Sequence, residues 1–278
     1  MAETTRVGCV QLCATPDLEA NLSTAEGLVA QAHAQGAKVV LLPEAFAFLG
    51  PEKQKRALLE ALPAAPDSPG GPILERCRDM ARANDCDLIL GGFHEDAGDP
   101  EKCFNTCVHL DAQGRIRAAY RKIHMFDISL SDGTQLRESA RTLAGDQLTV
   151  TELGFGKLGL SVCYDLRFPY LYQGLVDMGA LALAVPSAFT QTTGDAHWHV
   201  LLRARAIECQ SYVLAPAQHG HNWGKRHSYG HSLIIDPWGK IVAECAEGDG
   251  VAVADVDPAV VEKVRRELPS LQHRRSLE

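Results

Sequence analysis

Short apolar runs alternate along the chain with longer segments in which apolar residues recur every three or four positions. The runs predict buried strands, and the longer segments predict amphipathic helices. Predicted strands cover 6–12, 38–46, 87–95, 148–153, 157–163, 181–189, 211–218 and 251–256, with two more in 107–122 joined at Gln113-Gly114 and two in 231–245 joined at Trp238-Gly239. Predicted helices cover 21–36, about 71–84, 169–179 and 199–210.

This alternation predicts a mixed α/β fold in one domain that spans residues 1–278, with a core of about 5–258 and a C-terminal tail at 259–278. No low-complexity linker and no repeat at solenoid spacing divides the chain. The strands are too numerous for simple double winding. We therefore expect two stacked sheets covered by helices.

The composition of the chain indicates which kinds of binding partner to expect. The chain is 46% hydrophobic and 22% charged, which is typical of a globular protein, and its net charge is −8. No basic run interleaves with aromatic residues, so we expect neither a nucleic-acid nor a membrane partner. A small-molecule substrate is the better expectation. No signal peptide or long apolar segment is recognised, and we expect a cytoplasmic protein.

Nine scattered cysteines, an odd number, argue against a disulfide framework. Their spacings do not match those of zinc ribbons or fingers. A histidine-rich segment could bind metal, but no carboxylate or thiol stands beside it at ligand spacing, and a loop at a pocket mouth or a subunit contact is the alternative. The segment contains His219, His221, His227 and His231. We expect no metal and no cofactor.

Three polar side chains stand at the ends of apolar strands, where chemistry collects in α/β folds. They are Glu44 in LLPEAF, Lys122 in YRKIH and Cys163 in SVCYDLRFP. A carboxylate, an ammonium and a thiol together suit covalent acyl transfer, because they supply a base, an oxyanion partner and a nucleophile. Each residue alone has a simpler explanation as packing, capping or surface charge.

These three segments resemble, in order, the catalytic boxes of the nitrilase superfamily of carbon–nitrogen hydrolases. Within it, the chain is most similar to the branch of amidases that act on deaminated glutathione. Further segments typical of that branch are GGFHE, PSAF, GDAHWHVLLRARAIE, KRHSYGHS, DPWG and LPSLQHRR. The resemblance implies a four-layer α-β-β-α sandwich and hydrolysis of a small linear amide to 2-oxoglutarate and Cys-Gly.

The resemblance also implies roles for individual residues. Glu44 would be the general base, Lys122 the oxyanion stabiliser and Cys163 the nucleophile that forms a thioester. Glu138, 16 residues beyond Lys122, resembles a second acid that orients the substrate. The backbone N–H of Tyr164 would join Lys122 in holding the oxyanion.

Arg167, four residues after Cys163, is the expected anchor for a substrate carboxylate. The alternative is that it pairs with a nearby acid such as Asp165 and braces the turn. Further candidates for the carboxylate site are Phe46, Ser187 and Thr193.

Two positions depart from the branch, which usually has acids where this chain has Tyr170 and His199. The departures leave other substrates open, as in an ω-amidase, a carbamoyl-amide hydrolase or a nitrilase. A non-catalytic scaffold is the rival from another class, and the intact triad argues against it. The resemblance further implies a homodimer that packs through the helices following Phe168 and Ala196.

Overall fold

The computed structural model describes residues 2–129 and 135–275. The strands in these ranges are β1 (Thr5–Leu12), β2 (Val39–Leu41), β3 (Asp87–Asp96), β4 (Cys103–Leu110), β5 (Ile116–Arg121), β6 (Asp127–Ser129), β7 (Gln135–Arg137), β8 (Val150–Leu153), β9 (Gly156–Leu160), β10 (Ala182–Ala184), β11 (Tyr212–Ala215), β12 (Ala217–Trp223), β13 (Arg226–Tyr229), β14 (Leu233–Ile235), β15 (Ile241–Glu244) and β16 (Gly250–Val256).

The helices in the same ranges are α1 (Leu18–Ala34), α2 (Glu52–Arg56), α3 (Pro72–Ala83), α4 (Pro169–Asp177), α5 (Gln191–Cys209) and α6 (Pro258–Glu267). Two short 3₁₀ turns lie at Glu138–Ala140, between β7 and β8, and at Cys163–Arg167, between β9 and α4. Their ends follow local chemistry: α1 begins where the Asp17 carboxylate accepts the Ala20 N–H, and α3, α4 and α6 each begin with a proline.

Two large sheets form the centre of the molecule. One has the order β13-β12-β1-β2-β3-β4-β5, with β16 also paired to β1, and the other has the order β15-β14-β11-β10-β9-β8. Strands β6 and β7 form a separate two-stranded ribbon. Each large sheet combines parallel and antiparallel pairs, as expected for strands linked by both helices and hairpins.

The two sheets pack face to face between layers of helices. Side chains alternate across each strand, so Val7 of β1 joins Leu158 of β9 in one core, while Val10 of β1 packs against Val29 of α1 in the other. Helices α4 and α5 cover the second sheet through residues such as Trp198, which is fully buried. The predicted four-layer α-β-β-α sandwich is therefore confirmed.

Three segments differ from the sequence predictions. The strand predicted at 38–46 has only three residues in β2, because the chain leaves the sheet before Pro43 and turns at residues 44–47. Helix α5 begins at Gln191, eight residues before the predicted start at 199. The histidine-rich segment, for which a loop was one alternative, forms the β12–β13 hairpin as far as Tyr229.

Part of the segment expected to be a C-terminal tail is helical. Helix α6 begins at Pro258, and its Val261 is fully buried in the core between the sheets and helices. Residues 276–278 of that expected tail lie outside the described ranges. Within residues 2–129 and 135–275, none of the helices combines the length and the apolar character needed to cross a membrane.

Candidate active site

The three predicted strand-end residues come together from both sheets. Glu44 lies in the turn after β2, Lys122 directly follows β5, and Cys163 opens the 3₁₀ turn after β9. All three are buried but border the same cavity. Their convergence depends on the packing of one sheet on the other, because β9 belongs to a different sheet from β2 and β5.

The Lys122 ammonium lies between two carboxylates. Its Nζ is 3.1 Å from Glu44 Oε1 and 2.9 Å from each carboxylate oxygen of Glu138. Burial opposes the charged form, but Glu138 and Glu44 hold the pKa of Lys122 well above its usual value. Lys122 is therefore a fixed positive charge at physiological pH.

Glu138 is held at this position by the segment around it. Its carboxylate accepts the Phe126 N–H at 2.7 Å, which ties the 3₁₀ turn at Glu138–Ala140 to the chain just before β6. The predicted second acid therefore contacts Lys122 directly.

Asn105 on β4 completes this buried cluster and was missed from the sequence. Its Nδ2 donates to Glu44 Oε1 at 2.9 Å and to Glu138 Oε1 at 3.4 Å, so one amide fixes both acids. Asn105 lies inside an ordinary strand pattern, CFNTCVHL, and a buried polar position in that pattern is the only signal that the sequence offers.

The Glu44 carboxylate is positioned to accept a proton from the thiol. Its Oε2 accepts the Ala188 N–H at 2.9 Å, while its backbone carbonyl accepts from Gln218 Nε2 at 3.0 Å. Burial would raise the pKa of Glu44, but the Lys122 ammonium and hydrogen bonds from Cys163 and Asn105 outweigh burial and lower it. Glu44 is therefore ionised at neutral pH.

Cys163 occupies a strained turn between strand and helix. Its φ is +49°, a left-handed conformation that is uncommon outside glycine, and its N–H donates to the Pro186 carbonyl at 2.9 Å. Burial raises the pKa of the thiol well above its usual value, Glu44 raises it further, and Lys122 opposes both. The resting sulfur is therefore a protonated thiol beside an ionised carboxylate.

Asp165 holds this turn in place. Its fully buried carboxylate accepts the Val162 N–H at 2.9 Å, the Tyr120 hydroxyl at 2.8 Å and the His124 N–H at 3.1 Å, and it lies 2.7 Å from His124 Nδ1. These contacts join the Cys163 turn to the end of β5, which carries Lys122. From sequence, Asp165 was expected only as an alternative partner for Arg167.

The cavity above the thiol has a volume of about 300 Å³. Cationic side chains dominate the charge of its wall outside the catalytic cluster, with Glu52 as the one further acid among the described lining residues. The cations are Lys55, Arg137, Arg141, Arg167 and Arg226. A cavity of this size and charge suits a small anionic molecule.

The predicted substrate-binding residues divide into two groups. Arg167, Tyr164 and Thr193 line the cavity. Phe46 does not, because it is fully buried in the core between the first sheet and its helices, and Ser187 is also fully buried, with its hydroxyl donating to the Val185 carbonyl. The predicted substrate-binding roles of Phe46 and Ser187 are therefore wrong, because both side chains contribute to packing and hydrogen bonding inside the protein.

Arg167 does not brace the turn through an acid. Within the described residues it forms no salt bridge, and its Nη2 lies 3.3 Å from His197 Nδ1. Its guanidinium carbon is 5.8 Å from the Tyr164 ring centroid and 5.6 Å from that of Phe189. A guanidinium that borders the cavity and lacks a carboxylate partner there is available to a substrate anion.

Tyr170 and His199, the two departures from the branch, lie outside the cavity wall. The Tyr170 hydroxyl hydrogen-bonds to His124 Nε2 and thus touches the network of Asp165. His199 Nε2 instead lies 2.9 Å from Oε1 of Glu244 on β15.

A nucleophile, a general base and a cation lie together at the bottom of the cavity. This arrangement suits acyl transfer through a covalent intermediate. Comparison with known proteins agrees. The family model "Carbon-nitrogen hydrolase" matches residues 6–266, and the chain belongs to this family of amide-cleaving hydrolases. Within the family, it is an amidase.

Its relatives are similar over nearly the whole chain. A protein of Synechocystis sp. (strain PCC 6803 / GT-S) named deaminated glutathione amidase is 43% identical over 268 residues, which are 95% of this chain and 96% of the relative. The Homo sapiens protein of that name is 43% identical over 273 residues, 97% of this chain and 82% of its own. The crystal structure of Saccharomyces cerevisiae Nit3, a member of branch 10 of the nitrilase superfamily, superposes with a TM-score of 0.83 at 33% identity and covers 96% of this chain and 95% of that one.

Proposed function

We propose that this amidase hydrolyses deaminated glutathione to 2-oxoglutarate and Cys-Gly through a thioester on Cys163. The observation that carries the proposal is the position of the thiol, which lies beside the Glu44–Lys122 pair at the base of a cation-lined cavity. The names of the relatives support the choice of substrate.

The first half of the reaction acylates the enzyme. Glu44 accepts the thiol proton as Cys163 Sγ attacks the amide carbonyl, and the Lys122 ammonium stabilises the oxyanion that forms. The carbon–nitrogen bond then breaks, and the protonated Glu44 returns the proton to the leaving amine. Hydrogen bonds from Lys122 to Glu138 and from Asn105 to Glu44 hold the Lys122 and Glu44 side chains in position during these steps.

The second half regenerates the thiol. A water molecule enters, Glu44 removes its proton, and the resulting hydroxide attacks the thioester carbonyl. The carbon–sulfur bond breaks to release the carboxylic acid, and the Cys163 thiolate recovers its proton from Glu44. Lys122 again stabilises the oxyanion, because both steps pass through a similar tetrahedral intermediate.

The negative charge of the proposed substrate is complementary to the positive charge of the cavity wall. Deaminated glutathione carries a carboxylate on its keto-acid end and another on its C-terminal glycine. Arg167 borders the cavity close to the nucleophile, and Arg226 also lines it. Guanidinium groups in a cavity wall favour binding of a carboxylate.

Mass spectrometry of the quenched reaction tests the proposal. We expect an acyl adduct on the peptide that contains Cys163, loss of activity in Cys163→Ala, and a roughly hundred- to thousandfold lower rate in Lys122→Ala. Cys13→Ala is the matched control, since Cys13 is a partly exposed thiol outside the cavity lining. Undiminished turnover in Cys163→Ala would exclude the thioester.

A substrate panel tests the specificity. Release of Cys-Gly from deaminated glutathione, with little ammonia from simple ω-amides, carbamoyl amides or nitriles, is the expected result. Faster ammonia release from one of those compounds would assign the chain to an ω-amidase, a carbamoyl-amide hydrolase or a nitrilase. No turnover of any compound would favour the non-catalytic scaffold.

A homodimer formed through α4 and α5 is part of the same proposal. Exposed apolar side chains on these helices and on the neighbouring β14–β15 hairpin support it. They are Tyr170, 63% exposed, Val200, 69%, Ile207, 48%, Trp238, 64%, and Val242, 39%. We refer to these five residues as the α4–α5 surface.

A cytoplasmic location is also proposed. All nine cysteines are free thiols, which is typical of a protein in a reducing compartment. Cell fractionation tests this assignment: the protein should be recovered with cytosolic markers, and recovery from an oxidising compartment would contradict it.

A further inference from the structure

Two histidines and a glutamate converge between α5 and the β14–β15 hairpin, away from the catalytic cavity. His199 lies on α5, His231 lies two residues before the start of β14, and Glu244 is the last residue of β15. Glu244 Oε1 is 2.9 Å from His199 Nε2 and 2.8 Å from His231 Nδ1. One ligand atom from each of the three residues lies within 4.8 Å of the other two.

This donor set is one that zinc prefers. Imidazole nitrogens and carboxylate oxygens bind Zn²⁺ at about 2.0–2.2 Å in tetrahedral geometry, which places neighbouring ligand atoms about 3.3 Å apart. The two contacts to Glu244 need to lengthen only slightly to reach that separation. Three protein ligands leave one coordination position for water.

The three side chains are held by different parts of the fold. His231 has φ +59°, and its carbonyl accepts a hydrogen bond of 2.8 Å from Nε1 of the fully buried Trp198. Glu244 pairs in register with Leu233 of β14. The backbone of each ligand is therefore fixed by the core, and a metal would not have to order a loose segment.

Packing also limits the imidazole rings. The His199 and His231 ring centroids are 5.1 Å apart at an interplanar angle of 69°, and the Tyr229 ring lies 4.6 Å from that of His231. The His199 and His231 side chains are 31% and 39% exposed, so the cluster lies at the surface of the chain. An ion can therefore approach it from solvent without unfolding of the core.

We propose that His199, His231 and Glu244 bind one Zn²⁺ ion per chain and thereby fasten α5 to the β14–β15 hairpin. The histidine-rich segment of the sequence contains only one of these ligands. The carboxylate that the segment lacks comes from β15, and the second imidazole comes from α5. None of the three residues lines the catalytic cavity, so the site is distinct from the amidase centre.

Metal titration of the purified, chelator-treated full chain tests the site. The Cys163→Ala background removes the active-site thiol as a competing ligand. We expect saturable binding of one Zn²⁺ per chain by calorimetry, and Co²⁺ in place of zinc should give the visible absorption of a four-coordinate centre. Both His199→Gln and Glu244→Gln should weaken binding at least about a hundredfold, because loss of a ligand exceeds the effect of losing an outer partner.

A matched control separates this cluster from other histidines. The exposed rings of His221 and His227 stack at 4.5 Å on the β12–β13 hairpin, so the His221→Gln/His227→Gln pair should leave the affinity unchanged. Circular dichroism without metal verifies that each variant is folded. Absence of saturable binding to the parent chain, or equal affinity in His199→Gln, would overturn the proposal.

Discussion

Arg167 is the residue at which the substrate proposal is most directly testable. Its guanidinium borders the cavity without a carboxylate partner among the described residues, and a lysine cannot reproduce its two parallel hydrogen bonds. In Arg167→Lys we expect kcat/KM for the keto-acid amide to fall roughly five- to 150-fold, which corresponds to about 1 to 3 kcal/mol of lost transition-state stabilisation. The kcat/KM for a short neutral amide should change little.

Arg203→Lys is the control for this measurement. Arg203 lies on α5 and donates to the Gly239 carbonyl at 2.8 Å, outside the cavity lining. The same conservative change should therefore leave kcat/KM for both substrates unchanged. Equal losses on the two substrates in Arg167→Lys, or a fall in melting temperature that explains the lost activity, would assign Arg167 to the scaffold.

At the scale of a single element, the turn that carries Cys163 depends on Asp165. Asparagine has the same shape but only one acceptor oxygen, so Asp165→Asn leaves some of the donors from Val162, Tyr120 and His124 without a partner in a buried site. We expect a loss of at least about 2 kcal/mol in the free energy of unfolding and a lower kcat. Denaturant unfolding and steady-state kinetics measure the two effects.

Asp255→Asn provides the comparison. Asp255 also accepts two hydrogen bonds, from Arg6, but its side chain is 49% exposed, so water replaces what the substitution removes. The free energy of unfolding of Asp255→Asn should differ from that of the native chain by less than about 1 kcal/mol. Similar stabilities for Asp165→Asn and Asp255→Asn would show that the buried network does not hold the turn.

At the scale of the whole molecule, we expect the α4–α5 surface to determine the oligomeric state. Val200 and Ile207 are seven residues apart on α5 and therefore project from the same face of the helix. The turn at Gly239 packs on that helix, since a Cβ there would lie 2.6 Å from Ile207 Cγ1. The exposed apolar residues of the helix and of the hairpin turn are therefore neighbours.

Sedimentation velocity measures the consequence. The native chain should sediment as a dimer of 30.1 kDa subunits at micromolar concentration, and Val200→Asp/Ile207→Asp should shift it to monomer, because charges are costly inside an isologous apolar interface. Trp223→Asp, which changes an exposed aromatic residue on the other large sheet, should remain dimeric. A monomeric native chain would contradict the proposed interface.

The order of strands and helices, the three strand-end residues and the family were predictable from sequence. These features depend on local periodicity and on contiguous segments, and a stretch such as SVCYDLRFP contains all of the information that identifies it. The strand predicted at 38–46 was too long, because an apolar run does not show where the chain leaves the sheet.

Contacts between distant segments were decided by the tertiary structure alone. Asn105 and Glu44 are 61 residues apart, and only the packing of β4 beside the turn after β2 makes them partners. The burial of Phe46 and Ser187 likewise depends on tertiary packing, although both stand next to functional segments.

The cluster of His199, His231 and Glu244 was also decided by the tertiary structure, because its three residues come from separate segments of the chain. Sequence by itself determined the chemistry that the chain carries and the elements on which it lies, because both follow from short-range patterns. The structure decided which groups meet, because burial, hydrogen-bond partners and ligand geometry depend on how the two sheets and their helices pack.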